Sequence, residues 1–148
     1  MFTKIKILTG IIVMLLFSFC KKTTTVQDNV PYQTVNITIY PNDPLYFKIQ
    51  VVGGWVYLSG GVNGIIVYRQ SQTGANDFIA IERTSTHLPN DAGARVKVLS
   101  DGFTLKDTVS NSTWQINNGA VLTGPANLPL RQYSAIYDNG TGALNIRN

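Results

Sequence analysis

The sequence predicts an all-β fold, an antiparallel sandwich or small barrel of short strands behind an N-terminal signal segment. Three observations predict it. Short runs rich in β-branched and aromatic residues recur along the chain, Gly, Pro, Asn and Asp clusters separate them, and no stretch carries apolar residues at helical spacing long enough to stand alone. A length of 148 residues with 44% hydrophobic content is enough for one domain with its own core.

The leader comes first. "MFTKIKILTGIIVMLLFSFC" carries Lys4 and Lys6, then an apolar run from Ile7 to Phe19 interrupted by Thr9, Gly10 and Ser18. That is the pattern of a secretory signal, and it falls short of the ~20 apolar residues a membrane-spanning helix needs. Cys20 is the single cysteine of the chain and stands where the apolar run ends, followed by Lys21 and Lys22. A lone thiol there has no disulfide partner. "LLFSFC" resembles the lipobox of bacterial lipoproteins, with Phe19 at a position that is usually small; the resemblance implies that residues 1–19 are removed and that Cys20 is acylated. More than one acyl chain would hold the protein stably in a membrane. Residues 20–30, "CKKTTTVQDNV", lack apolar periodicity and read as a lipidated cysteine with a flexible tether, ending at Pro31. The β-domain is then residues 31–148.

Within it, "VNITIY" alternates apolar and polar residues, and "WVYL", "GIIVY", "DFIAIER" and "ARVKVL" are compact β-type runs. Between and after them stand "PNDP", "VGG", "SGG", "TGAND", "PNDAG", "SDG", "NNG", "GPAN" and "DNGTG". Trp55, Tyr57, Tyr68, Phe78 and Trp114 are expected in the core or in cross-strand packing, since aromatic residues supply much of the buried area of a small sandwich.

Charge narrows the partners. The chain has a formal net charge of +4, but four lysines precede the domain; from residue 30 onward three Lys and five Arg face seven Asp and Glu, with no basic stripe. Nucleic acid is excluded as an expected partner. "NIT", "NST" and "NGT" match the N-glycosylation pattern, which a bacterial leader makes irrelevant, and "DTV" at Asp107 to Val109 resembles a periplasmic O-glycosylation sequon.

Two segments carry the most specific pattern. "FIAIERTSTHL" sets Ser85-Thr86-His87-Leu88 after an apolar run, and "DTVSNSTWQINNGAVLTGPANLPL" sets Trp114, Gly119, Gly124-Pro125-Ala126 and Pro129-Leu130 at ordered intervals. Together they resemble Rieske-type iron-sulfur domains, from about Val35 to the C-terminus, and "GGWVYLSGGVNGIIVYR" resembles a branch of that family among bacterial lipoproteins. The resemblance implies a Rieske-like β-sandwich with two loops, 84–90 and 107–114, adjacent at one tip and His87 near Ser110. A Rieske cluster takes two thiolates and two imidazoles. The resemblance maps those positions to Ser85, His87, Asp107 and Ser110, of which only His87 keeps the residue type of the family's ligand, and it maps two bracing loop cysteines to Asn90 and Val109. A serine hydroxyl resists deprotonation far more than a thiol does.

The expectation is therefore a degenerate member without cofactor or metal. His87 with Asp107 falls short of the three or four ligands a zinc or iron(II) site uses. Ser85 and His87 lack an oriented third group, so no catalytic residues are expected and the chain is read as a non-enzyme. The expected function is a binding or structural module anchored to the bacterial envelope through Cys20, on the periplasm-facing side of the outer membrane, with an envelope protein as partner. The competing reading is an iron-sulfur electron-transfer protein or an accessory oxidoreductase subunit.

Overall fold

The structure, a computed structural model, describes residues 29–148. The leader, Cys20 and most of the tether lie outside the described residues. Among the described residues there are ten strands: β1 (Asn36–Ile39), β2 (Trp55–Leu58), β3 (Ile65–Arg69), β4 (Phe78–Glu82), β5 (Val96–Val98), β6 (Thr104–Asp107), β7 (Thr113–Gln115), β8 (Val121–Thr123), β9 (Gln132–Asp138) and β10 (Ala143–Arg147). All their pairings are antiparallel. They form a six-stranded sheet in the order β1-β10-β9-β4-β3-β2 and a four-stranded sheet in the order β5-β6-β7-β8. The protein is thus all-β and antiparallel.

The six-stranded sheet curls. A Cβ on Gly60, just after edge strand β2, would lie 2.7 Å from Ile37 Cδ1 on the opposite edge strand β1, so the two edges nearly meet. Inside the curl, Ile39, Ile65, Val67, Phe78, Ala80, Tyr133, Ala135, Leu144 and Ile146 form one core. A second core lies on the other face, where Ile66 and Ile81 meet Val96, Leu105, Trp114 and Ile116 of the four-stranded layer.

This arrangement explains two different sequence patterns. Strand β9 has one buried face and alternates strictly between exposed and buried along "QYSAIYD". Strands β3 and β4 are covered on both faces, so "IIVYR" and "FIAIE" are nearly continuous apolar runs. Each isoleucine fully buried there contributes roughly 1.5–3 kcal/mol relative to exposure.

One element was not expected from apolar spacing, a short 3-10 helix over Pro44–Gln50 that is kinked at Tyr46. Its local signal is nonetheless present. The Asp43 side chain accepts from the Leu45 amide at 2.8 Å, and Pro44 occupies the first turn, where no amide proton is needed. The segment is pinned by Ile49, which is fully buried, and by Arg69, whose guanidinium donates to the Ile49 carbonyl at 3.2 Å.

The aromatic residues divide. Phe78 and Trp114 are buried, while Trp55 and Tyr68 are half-buried against the second core. Tyr57 is not in the core, being 39% exposed, and takes the other alternative of that expectation, packing across strands. Its ring lies under the Arg83 guanidinium at 3.8 Å, and its hydroxyl accepts from the Val98 amide at 3.0 Å. It therefore ties β2 to the four-stranded sheet from the outside.

Candidate functional site

The first loop leaves β4 through Glu82, and this residue organises its root. The side chain is fully buried. Its carboxylate accepts from the amides of Val62 at 2.9 Å, Asn63 at 3.0 Å and Thr84 at 2.9 Å, from the Thr84 hydroxyl at 2.8 Å and from the Tyr133 hydroxyl at 2.7 Å. Burial alone would raise the Glu82 carboxyl, but these donors, led by Tyr133 and the two turn amides, outweigh it and hold the group below its ordinary value. The Tyr133 hydroxyl is pushed upward by burial and by its hydrogen bond to that carboxylate. Gly61 is required by the same contact, because its φ is +60° and a Cβ there would fall 2.1 Å from Glu82 Oε2.

Beyond Glu82 the loop turns on its own polar groups. Ser85 is fully buried; its hydroxyl oxygen accepts from the His87 amide at 3.2 Å, and its amide donates to the Ala94 carbonyl at 3.0 Å. Thr86 is buried and donates to the Leu128 carbonyl at 2.7 Å, as does the Trp114 indole at 3.1 Å. The 124–130 segment thereby stitches the two loops together. Leu88 takes the left-handed backbone conformation at φ 51°, unusual for a branched apolar residue, and the turn is closed by the Asp91 amide donating to the Leu88 carbonyl.

The second loop is built on Asp107, which is buried at the end of β6. Its Oδ1 accepts from the Val109 amide at 2.9 Å and its Oδ2 from the Ser110 hydroxyl at 2.7 Å. Ser110 and Ser112 hydroxyls lie 3.0 Å apart, and the Ser112 hydroxyl oxygen accepts from the Ala126 amide at 2.9 Å. Asn111 supplies the left-handed residue of this turn at φ 63°, a conformation asparagine tolerates.

Both loops open on one small cavity of about 170 Å³, lined by His87, Leu88, Asp91, Ala94, Asp107, Val109 and Ser110. Of the four positions singled out in the sequence, His87, Asp107 and Ser110 are brought together there. Ser85 is not; it sits beneath the loop with its hydroxyl used on His87 backbone. Asn90 is exposed on the first loop, and Val109 is exposed on the second.

This donor set does not fit an iron-sulfur cluster. No thiol is present at the tip, Ser85 is turned inward, and both Asp107 oxygens accept hydrogen bonds from their own loop. Among the described residues, no group of three or more His, Cys, Asp and Glu is placed to hold a metal ion.

Sequence reasoning overlooked Glu82, Thr86 and Ser112. The one available signal was Glu82 itself, an acid closing the apolar run "FIAI", which is costly to bury without partners. It also overlooked a larger concavity of about 530 Å³ along edge strand β2, walled by Leu45, Phe47, Trp55 and Tyr57 with Lys48 beside the Trp55 ring.

No protein-family model matches the chain, and no curated protein matches it significantly. The class defined by the fold is an antiparallel all-β protein whose two polar loops meet at one tip.

Proposed function

We propose that the protein is a membrane-tethered, cluster-free Rieske-like lipoprotein of the bacterial envelope, acting as a binding or structural module rather than as an enzyme or electron carrier. The observation that carries this reading is the fate of the polar groups at the tip. The Asp107 carboxylate and the Ser110 and Ser85 hydroxyls are spent on holding the loops. A redox carrier needs its four ligands free to point at iron, and a hydrolase needs a nucleophile aimed into a cleft with a base behind it. Neither requirement is met by these residues, while a binding module needs neither.

The test is iron and acid-labile sulfide per chain after anaerobic reconstitution of the purified protein, read together with its visible spectrum. A colourless protein without stoichiometric iron is expected, and its unfolding temperature should be unchanged by a chelator, since no metal-binding energy contributes to folding. About two irons and two sulfides per chain would establish the electron-transfer reading instead. Metabolic labelling with a lipid precursor tests the anchor, with label expected on the wild type and lost in Cys20→Ala.

A further inference from the structure

The first described residue is fixed at the loop tip. The Asn29 side-chain amide donates to the Thr86 carbonyl at 2.9 Å, Val30 is buried, and the Arg131 guanidinium donates to the carbonyls of Val30 and Pro31. The chain therefore joins the fold beside the two loops, not at the end that carries the Asp138–Gly142 turn. Cys20 precedes Asn29 by nine residues. Fully extended, that length reaches about 30 Å, whereas a domain of this size is ~35 Å across. A lipid on Cys20 thus leaves too little chain for the opposite end to be turned onto the membrane, while the tip lies within its reach.

The tip's surface suits that position. Leu88 and Val109, one from each loop, flank the mouth of the small cavity and are each 57% exposed. Arg95 and Lys97 are exposed beside Val109, where they line an adjoining hollow, with Asp91 the acidic residue on the other side. Apolar side chains in front of basic ones are the combination that inserts among acyl chains while meeting anionic headgroups.

We propose that the loop tip is a lipid-docking surface, with Leu88 and Val109 dipping into the headgroup layer and Arg95 and Lys97 meeting its anionic groups. This rests on the lipoprotein reading above and adds an orientation to it: the domain stands tip-down and presents the far end to the aqueous space.

The experiment uses the full lipidated protein in vesicles of phosphatidylethanolamine with a minority of phosphatidylglycerol. An environment-sensitive fluorophore is attached through Asn90→Cys at the tip or through Asn139→Cys at the far end, and the vesicles carry nitroxide-labelled lipid as a quencher. A label at position 90 should be blue-shifted and quenched, and one at position 139 should not. Adding Leu88→Ser and Val109→Ser together should reduce quenching at position 90 to the level at 139 while the protein stays vesicle-bound. Both residues are exposed, and an unchanged unfolding temperature verifies that the pair still folds. Vesicles of phosphatidylcholine alone should quench position 90 less.

Equal quenching at 90 and 139 would overturn the proposal, as would quenching at 90 that survives the double substitution. Quenching at 90 that appears only at high protein density would identify a second copy as the occupant and overturn it as well. The mass of the purified protein separates the two readings. An unacylated Cys20 removes the lipoprotein reading itself, whereas an acylated Cys20 with an unquenched position 90 removes the docking alone.

Discussion

Glu82 and Asp107 are both buried carboxylates at the roots of the two tip loops, yet they hold different things. Glu82 gathers partners 19, 20 and 51 residues away, and so fastens the β2–β3 turn, the first loop and β9 to one point. Asp107 accepts from groups two and three residues along its own loop. The first carboxylate determines how strands are assembled; the second determines the shape of one turn. A long-range hub freezes chain that would otherwise wander, whereas a local cap only selects among conformations the turn already samples.

The largest effect should come from removing the hub. Glu82→Ala leaves three amides, the Thr84 hydroxyl and the Tyr133 hydroxyl without their acceptor in a dry site, and should cost about 3–5 kcal/mol in urea unfolding. A loss no greater than that of Asp107→Ala would erase the distinction drawn above.

Acid should reveal the same hub. Because the folded-state Glu82 value is held below the ordinary 4.5, its contribution is fully present above that value and is lost as pH falls through the depressed one. Stability should therefore drop with acid below about pH 4.5, and Glu82→Gln should flatten that slope. An unchanged slope in the variant would assign the acid sensitivity to other carboxylates, such as Asp77, where burial opposes and the Thr73 and Gly74 amides then bring the value down.

Asp107→Ala should cost less, about 1–3 kcal/mol, since one amide and one hydroxyl lose an acceptor. The change should stay in the second loop, visible as faster amide exchange at Val109 with β6 and β7 still protected. The smallest effect is expected for Ser110→Ala, about 1 kcal/mol or less, because Asp107 retains the Val109 amide. If Ser110→Ala proved as costly as Asp107→Ala, the hydroxyl rather than the carboxylate would be the element that shapes the turn.

Much of the fold was legible because its signals are local. "WVYL" is β2 as it stands, "GIIVY" covers β3 except its last residue, Arg69, "DFIAIER" brackets β4, and the Gly and Asn turns fall between strands. The 3-10 helix was missed because Asp43-Pro44 is a cap signal without helical apolar spacing to follow it. Tyr57 is partly exposed because β2 is an edge strand: Val56 and Leu58 turn to the first core, and Tyr57 shares the other face with Trp55 at the margin, where the four-stranded layer covers it only in part. At the tip, residue types alone showed that thiolates are missing. They did not show that Ser85 points inward while His87, Asp107 and Ser110 share a cavity.

By itself, the sequence determined the all-β class, most strand positions and the turns, since period-two patterning and turn chemistry act between residues a few positions apart. Only the tertiary structure decided that β3 and β4 are covered on both faces, that Glu82 meets Tyr133 across 51 residues, and that Asn29 is pinned beside Thr86. Those are matters of which surfaces meet, and a buried charge becomes stable only when donors from distant segments converge on it.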